Sequence, residues 1–190
     1  MYNLNTFNLY NIMEKDFIIG KTIVCQNKMD KGKYSYTLTA PYGQVRIPDY
    51  FEPFFTPKEM LNLGVFEGKY MNDSTAEFPK EWFTKAIISP EKPDVNCNYF
   101  KIKSRQSLKV WQEKGWLYGP DNRGWFQWYC RYYCGRRDPE IDEIQIKRWR
   151  AFKRHYGQVV KNCPKNDGQN GVWCRPKQRQ ALLQWSYPCF

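Results

Sequence analysis

The stretch RGWFQWYCRYYCGRR, residues 123–137, decides how this chain folds. It contains six aromatic residues, two cysteines and four arginines, and no acidic residue. Trp125, Trp128, Tyr129 and Tyr132 recur at i, i+3, i+4 and i+7, the spacing of one helix face, and further apolar residues lie beside them. A helix with so wide an apolar arc buries more than one of its sides. The stretch therefore predicts a core helix, with its arginines pointing to a basic rim.

Capping residues bound this helix and the one that follows it. Asp121 is a suitable N-cap for a helix over residues 123–134, and Gly135 is a suitable left-handed stop. Asp138 and Pro139 then supply an N-cap and a first helical residue for the longest predicted helix, residues 139–161.

Upstream, strand and turn signals predict a small sheet. Residues 17–24 and 34–39 are β-branched and aromatic runs separated by a charged, glycine-containing loop, which is typical of an antiparallel hairpin. Residues 40–57 contain repeated prolines and rings, which predict an extended segment packed across the body.

Four shorter helices are predicted along the rest of the chain. Thr56, Pro57 and Glu59 form a capping box that opens a helix ending near Gly64. The other predicted helices cover residues 77–88, 104–114 and 176–185.

These elements predict an α+β fold, a single compact domain over residues 1–190. Residues 1–55 form its strand and extended part, and residues 56–190 its mainly helical, basic part. The mean hydropathy of −0.79 excludes a membrane protein. The N-terminus lacks the features of a secretory signal, so we expect a cytoplasmic or nuclear location and no membrane partner.

The charge is concentrated in one half of the chain. Residues 101–190 contain 19 Lys or Arg and seven Asp or Glu, a net charge of +12, whereas residues 1–100 contain 11 and 12. Seven of the eight tryptophans also lie in the second half. Cations beside flat rings are typical of nucleic-acid sites, although a basic surface also keeps a protein soluble and tryptophans also fill cores.

One helix face is the best candidate surface for a phosphate backbone. Lys147, Arg150, Arg154 and Lys161 follow each other at spacings of three, four and seven, which places them on one side of the longest helix. The alternative is an ordinary solvated helix face. The residues predicted to contact nucleic acid are Arg123, Arg131, Arg136, Arg137, Lys147, Arg150, Lys153, Arg154, Lys161, Arg175 and Arg179.

Three functions fit these patterns. The first is binding of DNA or RNA through phosphate contacts. The second is an enzyme acting on DNA or RNA, in which an aromatic pocket around Trp116 and Trp125 receives an extruded base and His155, Glu113 or Asp121 assists. The third is a structural component of a nucleoprotein assembly. No phosphate-cradling loop or catalytic motif is present in the sequence, and no cofactor is expected.

Seven cysteines form no recognisable framework. An odd number in a chain without a secretory signal argues against structural disulfides, although Cys163 and Cys174 could bridge outside a reducing compartment. Cys130 and Cys134 could join those two or His155 around zinc, but no CxxC motif is present, so buried thiols and no metal are expected.

Four blocks of the sequence carry a resemblance: TPKEMLNLGVFEGKYM (56–71), EFPKEWF (77–83), KGWLYGPDNRGWFQWYCRYYCGRR (114–137) and KQRQALLQW (177–185). They resemble a widely scattered family of uncharacterised proteins, over about residues 40–186. The family has no established activity, so the resemblance implies one compact unit and no catalytic residue.

Overall fold

The computed structural model describes residues 16–166, 168, 171 and 173–190. It shows the predicted α+β fold: a two-stranded antiparallel sheet followed by five α-helices in the described part of the chain. The strands are β1 (Thr22–Cys25) and β2 (Tyr34–Thr37). The helices are α1 (Pro57–Leu63), α2 (Leu108–Glu113), α3 (Trp125–Cys134), α4 (Pro139–Asn162) and α5 (Pro176–Gln184). The first 15 residues, which bear on the predicted absence of a signal, lie outside the described ones.

The sheet pairs Thr22 with Thr37 and Cys25 with Tyr34. It continues as a bridge from Leu38 to Arg136, so the hairpin docks on the end of α3. Gly135 makes this contact possible, since its φ is 109° and a Cβ there would lie 2.2 Å from the carbonyl oxygen of Ala40.

The extended segment reaches the core through Phe51. Its ring is fully buried, with centroids 5.0 Å from Trp149 and 5.7 Å from Trp128. Aromatic pairs at such distances add to the stability from buried area. The predicted wrapping of the helical body by a ring-anchored segment is therefore seen directly.

Local capping chemistry operates as predicted at three helix ends. Thr56 and Glu59 form both hydrogen bonds of the capping box before α1. Asp138 accepts from the amide of Ile141 at the start of α4, and Gly135 closes α3 in the left-handed conformation. Such signals depend on neighbouring residues alone, so they can be recognised in sequence.

Two helix predictions are wrong or too long. Residues 77–88 form only isolated turns of 3₁₀ helix, Thr75–Glu77 and Lys80–Trp82, because Pro79 interrupts the run and Glu77 is drawn into a buried ion pair. The helix predicted over 104–114 begins only after Ser107, whose side chain caps it.

Asp121 does not cap α3, contrary to prediction. The N-cap is Gly124, which makes no side-chain hydrogen bond. The carboxylate of Asp121 is fully buried and binds two arginines instead.

Candidate functional site

Arg131 lies at the centre of a buried charge cluster. Its side chain is 0% exposed, and its guanidinium donates to Glu77 (Nε to Oε1, 2.6 Å), to Asp121 (Nη1 to Oδ1, 3.0 Å) and to Asp30 (Nη2 to Oδ2, 3.1 Å). Burial alone would lower the pKa of Arg131, but Glu77 and Asp121 outweigh it and hold that pKa above its usual value. The arginine is therefore a permanently charged anchor for three segments of the chain.

Arg136 and Arg123 are likewise engaged by acids. Arg136 donates to both oxygens of Asp121, at 2.9 and 2.6 Å. Arg123 pairs with Asp73 at 2.6 Å and donates to the backbone oxygen of Tyr70 at 2.6 Å. Bidentate and charge-assisted bonds of this kind are short and directional.

The prediction that the arginines of residues 123–137 form a surface rim is therefore wrong for Arg123, Arg131 and Arg136, which are buried. Arg137 is half-buried, stacks on Tyr132 with its guanidinium carbon 3.7 Å from the ring centroid, and donates to backbone carbonyls. Because α3 is buried on nearly all sides, Arg131 on the helix and Arg123 and Arg136, which flank it, enter the core.

Arg179 also departs from the prediction. It is buried on α5 and donates to the carbonyl oxygens of Cys174 and Cys189, each at 2.8 Å. Its guanidinium holds the C-terminal segment in place and does not face solvent.

The stripe predicted on the longest helix is present on α4, and we call Lys147, Arg150, Arg154 and Lys161 the basic stripe. All four are exposed. At about 100° per residue they lie within an arc of about 60° and span about 21 Å. They face away from the buried Trp149.

The basic stripe has few acidic partners. Lys147 pairs with Glu143 at 2.6 Å, but both side chains are at least 60% exposed, so the pair is weak. Arg150 lies over the Tyr50 ring at 4.5 Å from its centroid. In the described part of the chain, no salt bridge holds Arg150, Arg154 or Lys161.

The beginning of α5 extends this face. Gln178 bonds His155 Nδ1 at 3.1 Å and Gln158 Oε1 at 2.7 Å, which holds the start of α5 against α4. Exposed Arg175 precedes α5, and exposed Lys153 lies beside the stripe on α4.

A groove of about 480 Å³ runs along one side of the stripe. It brings rings and cations together, but it also contains two carboxylates. Its lining includes Tyr50, Phe54, Tyr156, Arg150, Lys153, Asp49 and Glu52.

The three candidate catalytic residues have separate partners. Asp121 is held by arginines in the core, and Glu113 ends α2 opposite Lys109 at 3.9 Å. The ring of His155 lies 4.4 Å from that of Phe152, centroid to centroid, and is tilted by 38° against it. Burial and the charge of Arg154 hold the pKa of its imidazole below the usual value. The structure therefore shows no shared acid–base constellation for these three residues.

Trp116 and Trp125 do line one cavity together, as predicted. This cavity, which we call the ring cavity, has a volume of about 230 Å³. It adjoins a second cavity of about 440 Å³, the outer cavity. Sequence reasoning missed Tyr70, Arg105 and Trp111, which line both. Tyr70 lies 46 residues before Trp116 in the chain, and no motif marked Arg105 or Trp111 as part of the pocket.

The cysteines divide into one bonded pair and five free thiols among the described residues. Cys163 and Cys174 form a disulfide between the end of α4 and the start of α5. Burial raises the pKa of the Cys25 thiol to about 12 and that of Cys189 to about 12, so both stay protonated. The bond uses two of the cysteines considered for zinc. Disulfides persist mainly in oxidising compartments, so this bond does not support the predicted cytoplasmic or nuclear location, which stays a prediction.

Cys25, Asp30 and Glu77 place their ligand atoms within 4.8 Å of one another, the one grouping of metal-ligand type in the described ranges. The Arg131 guanidinium lies among them, with Nη2 3.3 Å from Cys25 Sγ and 3.1 Å from Asp30 Oδ2. A cation therefore already neutralises this cluster.

In the described part of the chain, every helix is too short or too polar to span a bilayer. Comparison with protein-family models, curated proteins and solved structures finds no match for this chain.

Proposed function

We propose that the protein binds nucleic acid through the exposed cations of α4 and the beginning of α5, chiefly by contacts to the phosphate backbone. The observation that carries the proposal is the basic stripe: four exposed cations on one helix face, three of them in no described salt bridge. An array about 21 Å long covers the axial rise of about six base pairs of duplex DNA.

The number of available contacts follows from burial. Of the eleven cations predicted to touch nucleic acid, Arg123, Arg131, Arg136 and Arg179 are buried and Arg137 is half-buried. The six that remain exposed are the basic stripe together with Lys153 and Arg175. Four to six neutralised phosphates would lower affinity about 10²- to 10³-fold between 50 and 200 mM salt.

The enzyme alternative has weaker support. General acid–base catalysis needs a titratable group within hydrogen-bond reach of the reacting atom. Neither His155, Glu113 nor Asp121 belongs to the lining of the ring cavity. A structural role in a nucleoprotein assembly would use the same basic stripe, and co-purification in a large particle would favour it.

The test is fluorescence anisotropy with labelled single- and double-stranded DNA and RNA, between 50 and 200 mM salt. In the test variant, Lys147, Arg150 and Arg154 are changed to glutamate. The matched control changes Lys33, Lys80 and Lys85 to glutamate, which alters net charge equally at exposed positions outside the stripe.

We expect steep salt dependence in the parent protein, and a slope of log K against log salt that falls by about three in the test variant. The control variant should keep most of the affinity. Salt-insensitive binding, or an equal loss in both variants, would refute the proposal.

A further inference from the structure

The ring cavity and the outer cavity adjoin each other and are candidate parts of one site. They share five lining residues: Phe66, Tyr70, Arg105, Gln106 and Trp111. With volumes of about 230 and 440 Å³, the two together fall within the size range of small-molecule sites, about 300 to 1,000 Å³.

The ring cavity offers flat faces and positive charge. Besides the shared rings, Trp116, Trp125 and Trp185 line it, and Trp116 is 40% exposed. Its charged lining residues are Arg105 and Arg148, and no carboxylate belongs to its lining in the described part of the chain. Aromatic faces with nearby arginines favour a planar, electron-rich ring.

Three buried polar atoms at this site have no protein partner in the structure: Trp125 Nε1, Tyr70 Oη and Arg105 Nε. Trp125 is only 4% exposed. An unpaired buried donor costs about 1–3 kcal/mol, and native proteins keep few of them. These atoms are also closed to water, so an acceptor reaches them only when the cavity wall relaxes. A ligand acceptor would satisfy whichever of these donors the relaxed wall exposes.

The outer cavity favours an anionic group. Lys28, Lys69, Arg105 and Arg123 line it. Arg105 is paired with Glu67 at 2.8 Å and Arg123 with Asp73 at 2.6 Å, and Lys69 donates to the backbone oxygen of Pro90, so the two lysines carry the charge that no carboxylate of the described residues neutralises. Lys28 is exposed, so its ammonium group is available to a ligand.

From this arrangement we propose that the two cavities bind a nucleotide, with its base among the rings of the ring cavity and its phosphate at the lysines of the outer cavity. The nucleotide could be free or an unstacked residue of a strand, since both present the same chemistry. The proposal does not rest on the basic stripe, because Arg148 and Phe152 are the α4 residues that line the ring cavity.

The experiment is isothermal titration calorimetry with adenosine monophosphate, adenosine and inorganic phosphate. Four proteins are compared with the parent: Trp116→Ala, Trp125→Phe, the double variant Lys28→Gln with Lys69→Gln, and a matched control, Lys33→Gln with Lys85→Gln, whose positions line neither cavity. Trp116 is chosen because it is 40% exposed, so its truncation should leave the fold intact, and circular dichroism checks this.

We expect adenosine monophosphate to bind the parent and the control equally. Trp116→Ala should weaken both adenosine and its monophosphate about 5- to 150-fold, the effect of losing one stacked ring. The double lysine variant should weaken only the monophosphate. Trp125→Phe keeps a ring but removes the N–H, and should weaken binding about tenfold.

A single-stranded oligonucleotide distinguishes the two sources. In one outcome the monophosphate does not bind, but the oligonucleotide binds and Trp116→Ala weakens its binding. The ligand is then a residue of a strand, and the site is supported. If neither probe responds to Trp116→Ala, or phosphate alone binds, the proposal is overturned. The monophosphate is also titrated into the variant with Lys147, Arg150 and Arg154 changed to glutamate. If it still binds, the nucleotide site is supported even if the test of the basic stripe fails.

Discussion

Two sets of cations in the same half of the chain have opposite environments. Arg131 and Arg136 lie in the core, where Asp30, Glu77 and Asp121 surround them. The cations of the basic stripe lie on the outside of α4, where the one described salt bridge is the exposed pair of Lys147 with Glu143. The charge of the second half therefore falls into two parts: one is paired with acids inside the fold, and the other is exposed on α4.

The difference arises from the helices that carry the cations. Because α3 is surrounded by the rest of the chain, Arg131 on the helix needs acidic partners, and the less basic first half supplies Asp30 and Glu77. One side of α4 faces solvent, so its cations keep their hydration without partners. Composition reports the total charge, but only burial separates these two populations.

Arg131→Met should have the largest effect on stability of the substitutions considered. The substitution leaves three buried carboxylates with only Arg136 near them, and removing one member of a buried ion pair costs about 3–5 kcal/mol. We expect the free energy of unfolding, measured by urea denaturation followed by circular dichroism, to fall by that amount.

The matched control is Lys147→Met on the basic stripe, which should change the free energy of unfolding by no more than about 0.5 kcal/mol. Adding Glu77→Gln to Arg131→Met should restore part of the loss, because one uncompensated charge is removed. Equal losses for Arg131→Met and Lys147→Met would show that the two populations do not differ.

The Cys163–Cys174 disulfide lies at the far end of the basic stripe and should contribute to stability there. The disulfide holds the C-terminal end of α4 covalently. The N-terminal end of α4 is held instead by packing and by the Asp138 cap. For a loop of roughly this length we expect Cys174→Ser to cost about 3 kcal/mol.

A reductant should lower the urea midpoint of the parent protein to that of Cys174→Ser and leave the variant unchanged. A parent protein insensitive to reductant, with no change of mass on alkylation under denaturing conditions, would show that the bond does not form.

The extent of sequence prediction follows from the range of each interaction. The capping box at Thr56 and the Gly135 stop were predicted, since their partners lie within a few residues. The burial of Arg131 was not, because Glu77 and Asp30 are 54 and 101 residues away. The sequence placed Asp30 in a hairpin loop, Glu77 at the start of a helix and Asp121 at a helix cap, and only the fold brings the three together.

The candidate sites show the same limit. The periodicity of α4 predicted the basic stripe, and the rings of residues 114–125 predicted that Trp116 and Trp125 share a cavity. The walls that Tyr70 and Arg105 add come from distant segments, whose spacing in the sequence has no period. Helical periodicity is therefore visible in the sequence, whereas long-range convergence is not.

The Arg123–Asp73 pair tests an intermediate case, with side chains 10% and 25% exposed. Burial would raise the pKa of Asp73, but the hydrogen bond and the charge of Arg123 outweigh it and hold that pKa below its usual value. We expect Asp73→Asn to cost about 1.5 kcal/mol at pH 7.

Because the pKa of Asp73 is lower in the folded state, its contribution is present above about pH 4 and is lost as the pH falls through the folded value. The difference between parent and Asp73→Asn should therefore shrink below pH 4 in urea titrations. A difference that stays constant from pH 7 to pH 3 would contradict this coupling.

The smallest expected effect is a shift in the pKa of His155, which depends on the charge of the basic stripe. His155 is the sole histidine of the chain, so its ring signals in an NMR titration need no assignment. Burial, and then the positive charge of Arg154, lower the pKa of its imidazole from 6.5. Its neutral form is favoured in the fold, so stability is lost as the pH falls through about 6.5.

Arg154→Gln removes a neighbouring cation and should raise the pKa of His155 toward 6.5, while Lys33→Gln should leave it unchanged. The shift should shrink in high salt, since exposed charges are screened. If the pKa of His155 does not respond to Arg154→Gln, an acidic group neutralises the charge of Arg154. The exposed cations would then be paired with acids, as the buried ones are.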